Sequence, residues 1–161
     1  MSTLVTGATT PLGLRVVERL LESGHGRVLA VGFEPASVVS FDDRVVYKRV
    51  DLTHARQVRE LMHGLVREMN IETVIHLAMH RSARFDRKRA HRLHVDATRL
   101  LLRLSENHPT VNRFVHRSSS EVYLSRNDQP DVLREDQPLN LSVTSGRWIR
   151  DKVEADVTVC A

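Results

Sequence analysis

The sequence holds one cysteine, Cys160, in 161 residues. A single thiol forms no internal disulfide and builds no cysteine-based metal centre. Aromatic residues are scarce, at 4%, which leaves little with which to stack nucleic-acid bases. No apolar run approaches the roughly 18 residues of a membrane span. The first residues, "MSTLVTGATT", carry neither a basic lead nor a long apolar stretch, so no secretory signal is expected. Glycine and proline are sparse, and no repeat, low-complexity segment or linker stands out. These absences lead us to expect a cytoplasmic protein with no membrane partner. What is present, 41% hydrophobic and 27% charged residues, suits one domain with a real core.

The net charge is +4 with nine histidines, and the basic excess is local. "HRSARFDRKRAHRLH", residues 80–94, sets Arg81, Arg84, Arg87, Lys88, Arg89 and Arg92 against Asp86. Such a cluster suits a polyanion or nucleic acid, but only Phe85 accompanies it as an aromatic, so it reads as a solvated loop and helix face. His76 with His80, and His91 with His94, are spaced like metal ligands. No further ligands complete a set, so no metal is expected.

Along the chain, short apolar segments alternate with helical patterns. "TLVT" (3–6), "RVLAVGF" (27–33), "RVVYKRV" (44–50), "TVIHLA" (73–78) and "RFVHRSS" (113–119) read as strands. Leu12, Val16, Val17, Leu20 and Leu21 recur at helical spacing, with Gly24 closing the helix. Val58 to Met69 and Leu93 to Leu104 give two more helices, and a last runs from about 147 to the end. Residues 125–145, rich in polar residues and proline, read as an irregular loop. Alternation of this kind predicts an α/β fold: a doubly wound parallel sheet with helices on both faces, in one domain spanning 1–161.

"TGATTPLG", residues 6–13, lies between the first strand and the first helix. A glycine turn there brings backbone N–H groups and a helix N-terminus to a pyrophosphate. Gly7 and Gly13 suit the tight-turn and helix-packing roles. Thr10 stands where backbone should approach phosphate closely; its hydroxyl would donate to the phosphate or its bulk would exclude the ligand. Pro11 is tolerated at the first helical position. At the end of the second strand, where an acid would take the ribose hydroxyls of NAD, the sequence has Gly32, with Glu34 two residues on. Glu34 favours NAD; the lack of an acid at 32, with Arg15 nearby in sequence, leaves NADP open.

With these pieces placed, the chain resembles the extended short-chain dehydrogenase/reductase family, the NAD-dependent epimerase/dehydratase group. "TGATTPLG" resembles its TGxxGxxG turn, and "VDL", with Asp51 and Leu52, its adenine-contacting aspartate motif. "VIHLAM", with Leu77 and Ala78, resembles the segment beneath the cofactor. "HVDATRLLL" (94–102) resembles "NVxGTxxLL", with His94 for Asn and Ala97 for Gly. "FVHRSSSEVY" (114–123) places Ser119 at the catalytic serine/threonine position, and "REDQPLN" (134–140) resembles the acidic-proline loop. "WIRDKVEAD" (148–156) resembles "YxxxKxxAE".

The resemblance implies a Rossmann-type domain whose cofactor, NAD or NADP, is held by Gly7, Thr9, Thr10, Pro11, Leu12, Gly13, Glu34, Asp51, Leu52, Leu77, Ala78 and Lys152. It implies hydride transfer to a nicotinamide, with Ser119 and Lys152 as catalytic groups. Where the family has its proton-carrying tyrosine, this chain has Trp148. An indole N–H only donates, so it is no general acid or base. Neither Tyr123 nor Tyr47 is expected to replace it, and no other phenol or imidazole is expected beside Ser119 and Lys152. Two functions remain: a dinucleotide-binding or sensor module with impaired catalysis, or an active oxidoreductase, epimerase or dehydratase on a nucleotide-sugar or sterol-like substrate. The family continues into a further strand and a smaller substrate domain, so the chain is expected to be the N-terminal part of a longer protein. Relatives suggest a homodimer through the third and last helices.

Overall fold

A computed structural model of the chain describes residues 1–24, 26–79, 86–124, 132–142 and 144–161. Five strands form one parallel sheet: β1 (Thr3–Thr6), β2 (Val28–Gly32), β3 (Val45–Arg49), β4 (Thr73–His76) and β5 (Arg113–His116), in the order β3-β2-β1-β4-β5. All four pairings are parallel, with Thr3 aligned to Val28 on one side and to Thr73 on the other. The chain builds outward from β1 in one direction, then returns to build in the other. The order therefore reverses between β1 and β4, where a ligand crevice opens in folds of this type.

Alternation along each strand divides the core in two. Val5, Val28, Ala30 and Ile75 face α1 (Pro11–Glu22), where they meet Val17 and Leu21. Leu4, Leu29, Val31 and Val74 face the opposite way, toward Val58 and Leu61 of α2 (Ala55–Leu61) and Leu101. On that second face α3 (Arg87–His91) runs through a π-helical stretch (Arg92–Ala97) into α4 (Thr98–Glu106). The last helix, α5 (Arg147–Cys160), packs beside it. Central strands covered on both faces are buried throughout, as their near-continuous apolar runs demand. β5, at the edge, alternates exposed and half-buried residues. The expected strands and helices are all present; β1 matches residues 3–6, and the other four strands are shorter than expected by two or three residues in all. The described part of the polar loop runs beside the turn after β5: Tyr123 bridges Leu139, and the Asn140 N–H donates to the Val122 carbonyl at 2.7 Å.

Candidate functional site

The glycine turn lies between β1 and α1. Gly7 has φ +66°, and a Cβ there would stand 2.8 Å from the Ala78 backbone just past β4. Both the left-handed conformation and the close approach call for glycine. A Cβ on Gly13 would stand 2.2 Å from the Gly7 carbonyl oxygen, so the first turn of α1 rests directly on the loop. Thr10 is the N-cap of α1, in extended conformation at φ −77°, which needs no glycine. Its Oγ1 accepts from the Gly13 N–H at 3.0 Å and donates to the Gly7 carbonyl at 2.8 Å. That hydroxyl hydrogen is committed inside the turn, so the sequence-based option of donation to a phosphate is not what the fold uses. Pro11 has no N–H, the Gly13 N–H goes to Thr10, and the Leu14 N–H goes to the Thr10 carbonyl at 2.8 Å. The Leu12 N–H is the first-turn donor left to point at an anion.

A cavity of about 500 Å³ opens beside this turn. Among the expected cofactor residues, Gly7, Thr9, Thr10, Glu34, Asp51, Leu52 and Ala78 line it. Pro11, Leu12 and Gly13 shape its helical edge without lining it, and Leu77 is buried in the α1-side core instead. Lys152 lines a second, smaller cavity. Arg15 does not come to the cleft: its side chain is 82% exposed on α1 and pairs with Glu18 at 2.9 Å. That removes it as a partner for a 2′-phosphate.

Asp51 holds the far wall. Its Oδ1 accepts from the Thr53 N–H at 3.0 Å and the Thr53 hydroxyl at 2.7 Å, while Oδ2 meets Arg89 at 2.9 Å and His54 at 3.2 Å. Burial alone would raise this carboxyl; the Thr53 hydrogen bonds and the Arg89 and His54 charges outweigh it and hold the acid below its usual range. Arg89 is a first residue whose place in the cleft the sequence does not announce. It lies in the stretch read as a solvated face, yet its guanidinium sits in the cleft, 4.8 Å from the centroid of Phe33. Nothing in the spacing announces a partner 38 residues away. The first residues of the basic stretch, 80–85, lie outside the described residues, as does His80.

The chemistry end forms where the turn after β5 meets α5. Ser119 caps a short 3₁₀ turn (Ser120–Val122), and its Oγ donates to Glu121 Oε2 at 3.2 Å. Trp148 and Lys152 share one face of α5, one turn apart, and the ammonium stands 4.6 Å from the indole centroid. Lys152 is buried, and its ammonium donates to Glu121. The Trp148 indole N–H donates to the same carboxylate. Glu121 therefore gathers all three groups at the Ser/Tyr/Lys positions. Its carboxyl is lowered, chiefly by the hydrogen bond from Lys152. The "SSSEVY" stretch carried no sign that its acid, rather than its serines, would be the common partner.

No described phenol takes the tyrosine's place: the Tyr47 hydroxyl donates to the Glu34 carbonyl at 2.7 Å, at the other end of the site. Imidazoles are another matter, and here the structure corrects the expectation. His94 and His116 line the small cavity together with Ser119 and Lys152. His94 meets the Trp148 ring edge-on at 5.0 Å. It projects from the π-helical stretch, an irregularity often found at functional sites. Behind them His76 is buried between Thr6 Oγ1 at 2.7 Å and Thr98 Oγ1 at 3.0 Å. Burial, with His116 and His94 nearby, pushes His76 down to about 3. Both ring nitrogens are thus engaged by hydroxyls, and burial favours the neutral ring.

One group of ligand atoms does converge elsewhere. His91, Asp151 and Glu154 bring theirs within 4.8 Å of one another. His91 is bonded to Asp151 at 2.9 Å, Arg99 pairs with Glu154 at 2.9 Å, and Arg147 lies 4.0 Å from Asp151. Cations already serve these acids, so the group reads as an ion-pair network joining α3 and α4 to α5.

The cleft suits a dinucleotide: a glycine cradle that a Cβ would fill, a helix N-terminus beside it, and, sharing Ala78 and Met79 with the cleft, a smaller cavity lined by Ser119 and Lys152. Comparison with known proteins agrees. The profile of the NAD dependent epimerase/dehydratase family matches residues 3–156. No curated protein matches the sequence. Among solved structures, a short-chain dehydrogenase/reductase superfamily protein from Agrobacterium tumefaciens with bound NAD is similar at 27% identity and a TM-score of 0.72, covering 99% of this chain and 44% of that one. MoeE5 in complex with UDP-glucose and NAD is 30% identical with a TM-score of 0.72, covering 98% of this chain and 48% of its own. UDP-glucuronic acid 4-epimerase from Bacillus cereus, in complex with NAD, shares the fold at 23% identity and a TM-score of 0.75, over 99% of this chain and 51% of its own. The chain thus spans about half the length of the structures it matches. No helix among the described residues is long and apolar enough to cross a membrane. With the sheet order, the glycine cradle and the family profile in agreement, the chain belongs to the NAD-dependent epimerase/dehydratase family.

Proposed function

We propose that this chain binds NAD in the cleft between β1 and β4, and that it acts as a binding or sensor module whose own proton transfer is impaired at Trp148. The observation that carries the reading is the approach of Gly7 to Ala78 beneath a cleft of about 500 Å³. Bound NAD would supply the hydride acceptor. Leu12 N–H and the α1 terminus would face its pyrophosphate, Asp51 and Arg89 would wall its adenosine end, and Ser119 and Lys152 would lie toward its nicotinamide. Trp148 keeps Lys152 in place by cation–π contact but holds no proton that it can exchange near neutral pH. General acid–base help is worth about 100- to 10,000-fold, so turnover should be correspondingly low. The reading includes a cytoplasmic setting, and a homodimer through α4 and α5.

A second reading, turnover on a nucleotide sugar, rests on Glu121 and His94, titratable groups beside Ser119 and Lys152. The test is a fluorescence titration with NADH, followed by an assay with UDP-glucose. Saturable micromolar binding with negligible turnover, raised by Trp148→Tyr, supports the module. No binding up to millimolar NADH removes the cofactor reading. Ordinary turnover abolished by Glu121→Gln establishes the second reading.

A further inference from the structure

Lys152 is the donor that a dinucleotide would need at its nicotinamide end, and in this structure it is already engaged. Its ammonium donates to Glu121 Oε2. The lysine side chain is 7% exposed and that of Glu121 is 50% exposed, so the carboxylate is the member of the pair that solvent reaches. The Trp148 ring centroid stands 4.6 Å from the same ammonium. Glu121 is itself held from two further directions, by the Ser119 hydroxyl at 3.2 Å and by the Trp148 N–H. The turn that carries it is anchored: Val122 is buried, and its carbonyl accepts from the Asn140 N–H at 2.7 Å. The two ends of the site also differ in room. About 500 Å³ lie open beside the glycine turn, Asp51 and Arg89, whereas the cavity lined by Ser119 and Lys152 holds about 10 Å³. That is space for about one water molecule, not for a nicotinamide ring and its ribose.

Resting on the NAD reading above, we propose that Glu121 is an internal occupant of the nicotinamide end, so that the cleft draws its affinity from an adenosine diphosphate group and binds ADP nearly as well as the whole dinucleotide. The contact between Glu121 and Lys152 joins opposite charges, whereas a ribose hydroxyl brings none. The ammonium therefore stays with the carboxylate when a dinucleotide arrives, and the nicotinamide riboside gains no donor there. Because Val122 fixes the turn, it is a rotation of the Glu121 side chain that would release the lysine. Glutamine has the same length and keeps an acceptor for the ammonium, but not the charge. It is the substitution that yields Lys152 to a ribose hydroxyl.

The experiment is a calorimetric titration of the full chain with ADP and with NADH, repeated for Glu121→Gln, with circular dichroism to confirm folding. Wild type is expected to bind ADP no more than about threefold more weakly than NADH, less than one hydrogen bond to a charged group is worth. Glu121→Gln should tighten NADH about tenfold, the return of one such bond, and leave ADP unchanged. A larger wild-type preference for NADH overturns the proposal, whether or not the variant folds. So does a Glu121→Gln protein in which NADH binds no better than before, or in which both nucleotides tighten alike. Binding of neither nucleotide removes the NAD reading itself, a result distinct from binding of both with a strong preference for NADH.

Discussion

The nucleotide half of the cleft and its chemistry half both depart from the family pattern, but not in the same way. At the nucleotide half each departure meets a local replacement. Thr10 stands for a glycine and caps the helix; Gly32 stands for an acid, and Glu34, two residues on, is held by the Thr9 hydroxyl and the Phe33 N–H. At the chemistry half Trp148 stands for a tyrosine, and the indole retains packing and one donor while giving up titration. The contrast is between functions carried by backbone shape, which several side chains can support, and a function carried by one ionisable oxygen. Mutations that strain the first half should therefore act on folding and affinity together. Those at Trp148 should leave both nearly untouched.

The largest effect is expected at the base of the turn. Gly13→Ala places a methyl 2.2 Å from the Gly7 oxygen and 2.7 Å from Ala8 Cα. Both are backbone atoms, so α1 itself must move. Urea unfolding should show a loss of about 3 kcal/mol or more, with NADH binding reduced in parallel. A mild effect would mean that helix and loop are less tightly joined than the contrast requires.

The next effect is one of pH. His76 stays neutral in the folded protein down to about 3, whereas the unfolded chain takes up that proton near 6.5. The unfolded state binds more protons between those values, so stability falls as pH drops through the interval, by up to ~1.4 kcal/mol per unit. His116, also lowered by burial, acts in the same direction. The lowered carboxyls of Asp51 and Glu121 act only below the ordinary carboxylate range, so the window from 6.5 to about 4.5 isolates the imidazoles. Denaturant unfolding at pH 7, 6 and 5 should show the slope, and His76→Gln should flatten it.

The strands, the helices and the glycine turn could be read from the sequence because they follow from local periodicity and from residues with special backbone freedom. Gly7, Thr9, Thr10, Asp51 and Ala78, which the family resemblance implied as cofactor residues, line one cleft. What could not be read depends on side chains that meet across the fold. Arg89 looked like one more solvated cation until α3 carried it to Asp51. Glu121 was passed over because a carboxylate in a serine-rich turn has no periodic signature. His94 and His116 converge because the π-helical stretch and the end of β5 line the same small cavity. Thr10 was legible as a departure, but its role as a cap depended on where its hydroxyl pointed.

Thr10→Ala tests that role at smaller scale. It removes the acceptor for the Gly13 N–H and should cost about 1 kcal/mol of stability. Thr10→Gly should cost only a few tenths. In the glycine variant, affinity for NADH should not fall, since the hydroxyl acts within the turn. A marked drop in affinity without loss of stability would place Thr10 on the ligand.

The smallest effect is expected from Trp148→Phe. The ring remains beside Lys152, while the indole N–H to Glu121 is lost. The Lys152 hydrogen bond is the main cause of the lowered Glu121 carboxyl, and the Trp148 hydrogen bond the smallest. Glu121 should thus titrate only slightly higher, as followed by carboxyl-carbon NMR, and stability should change by about 1 kcal/mol or less. NADH affinity should be unchanged. A large fall in affinity would show that the indole helps to shape the nucleotide half, and the separation between the halves would no longer hold. An unchanged Glu121 titration would mean instead that Lys152 and Ser119 set that carboxylate without the indole, leaving Trp148 with packing as its whole contribution.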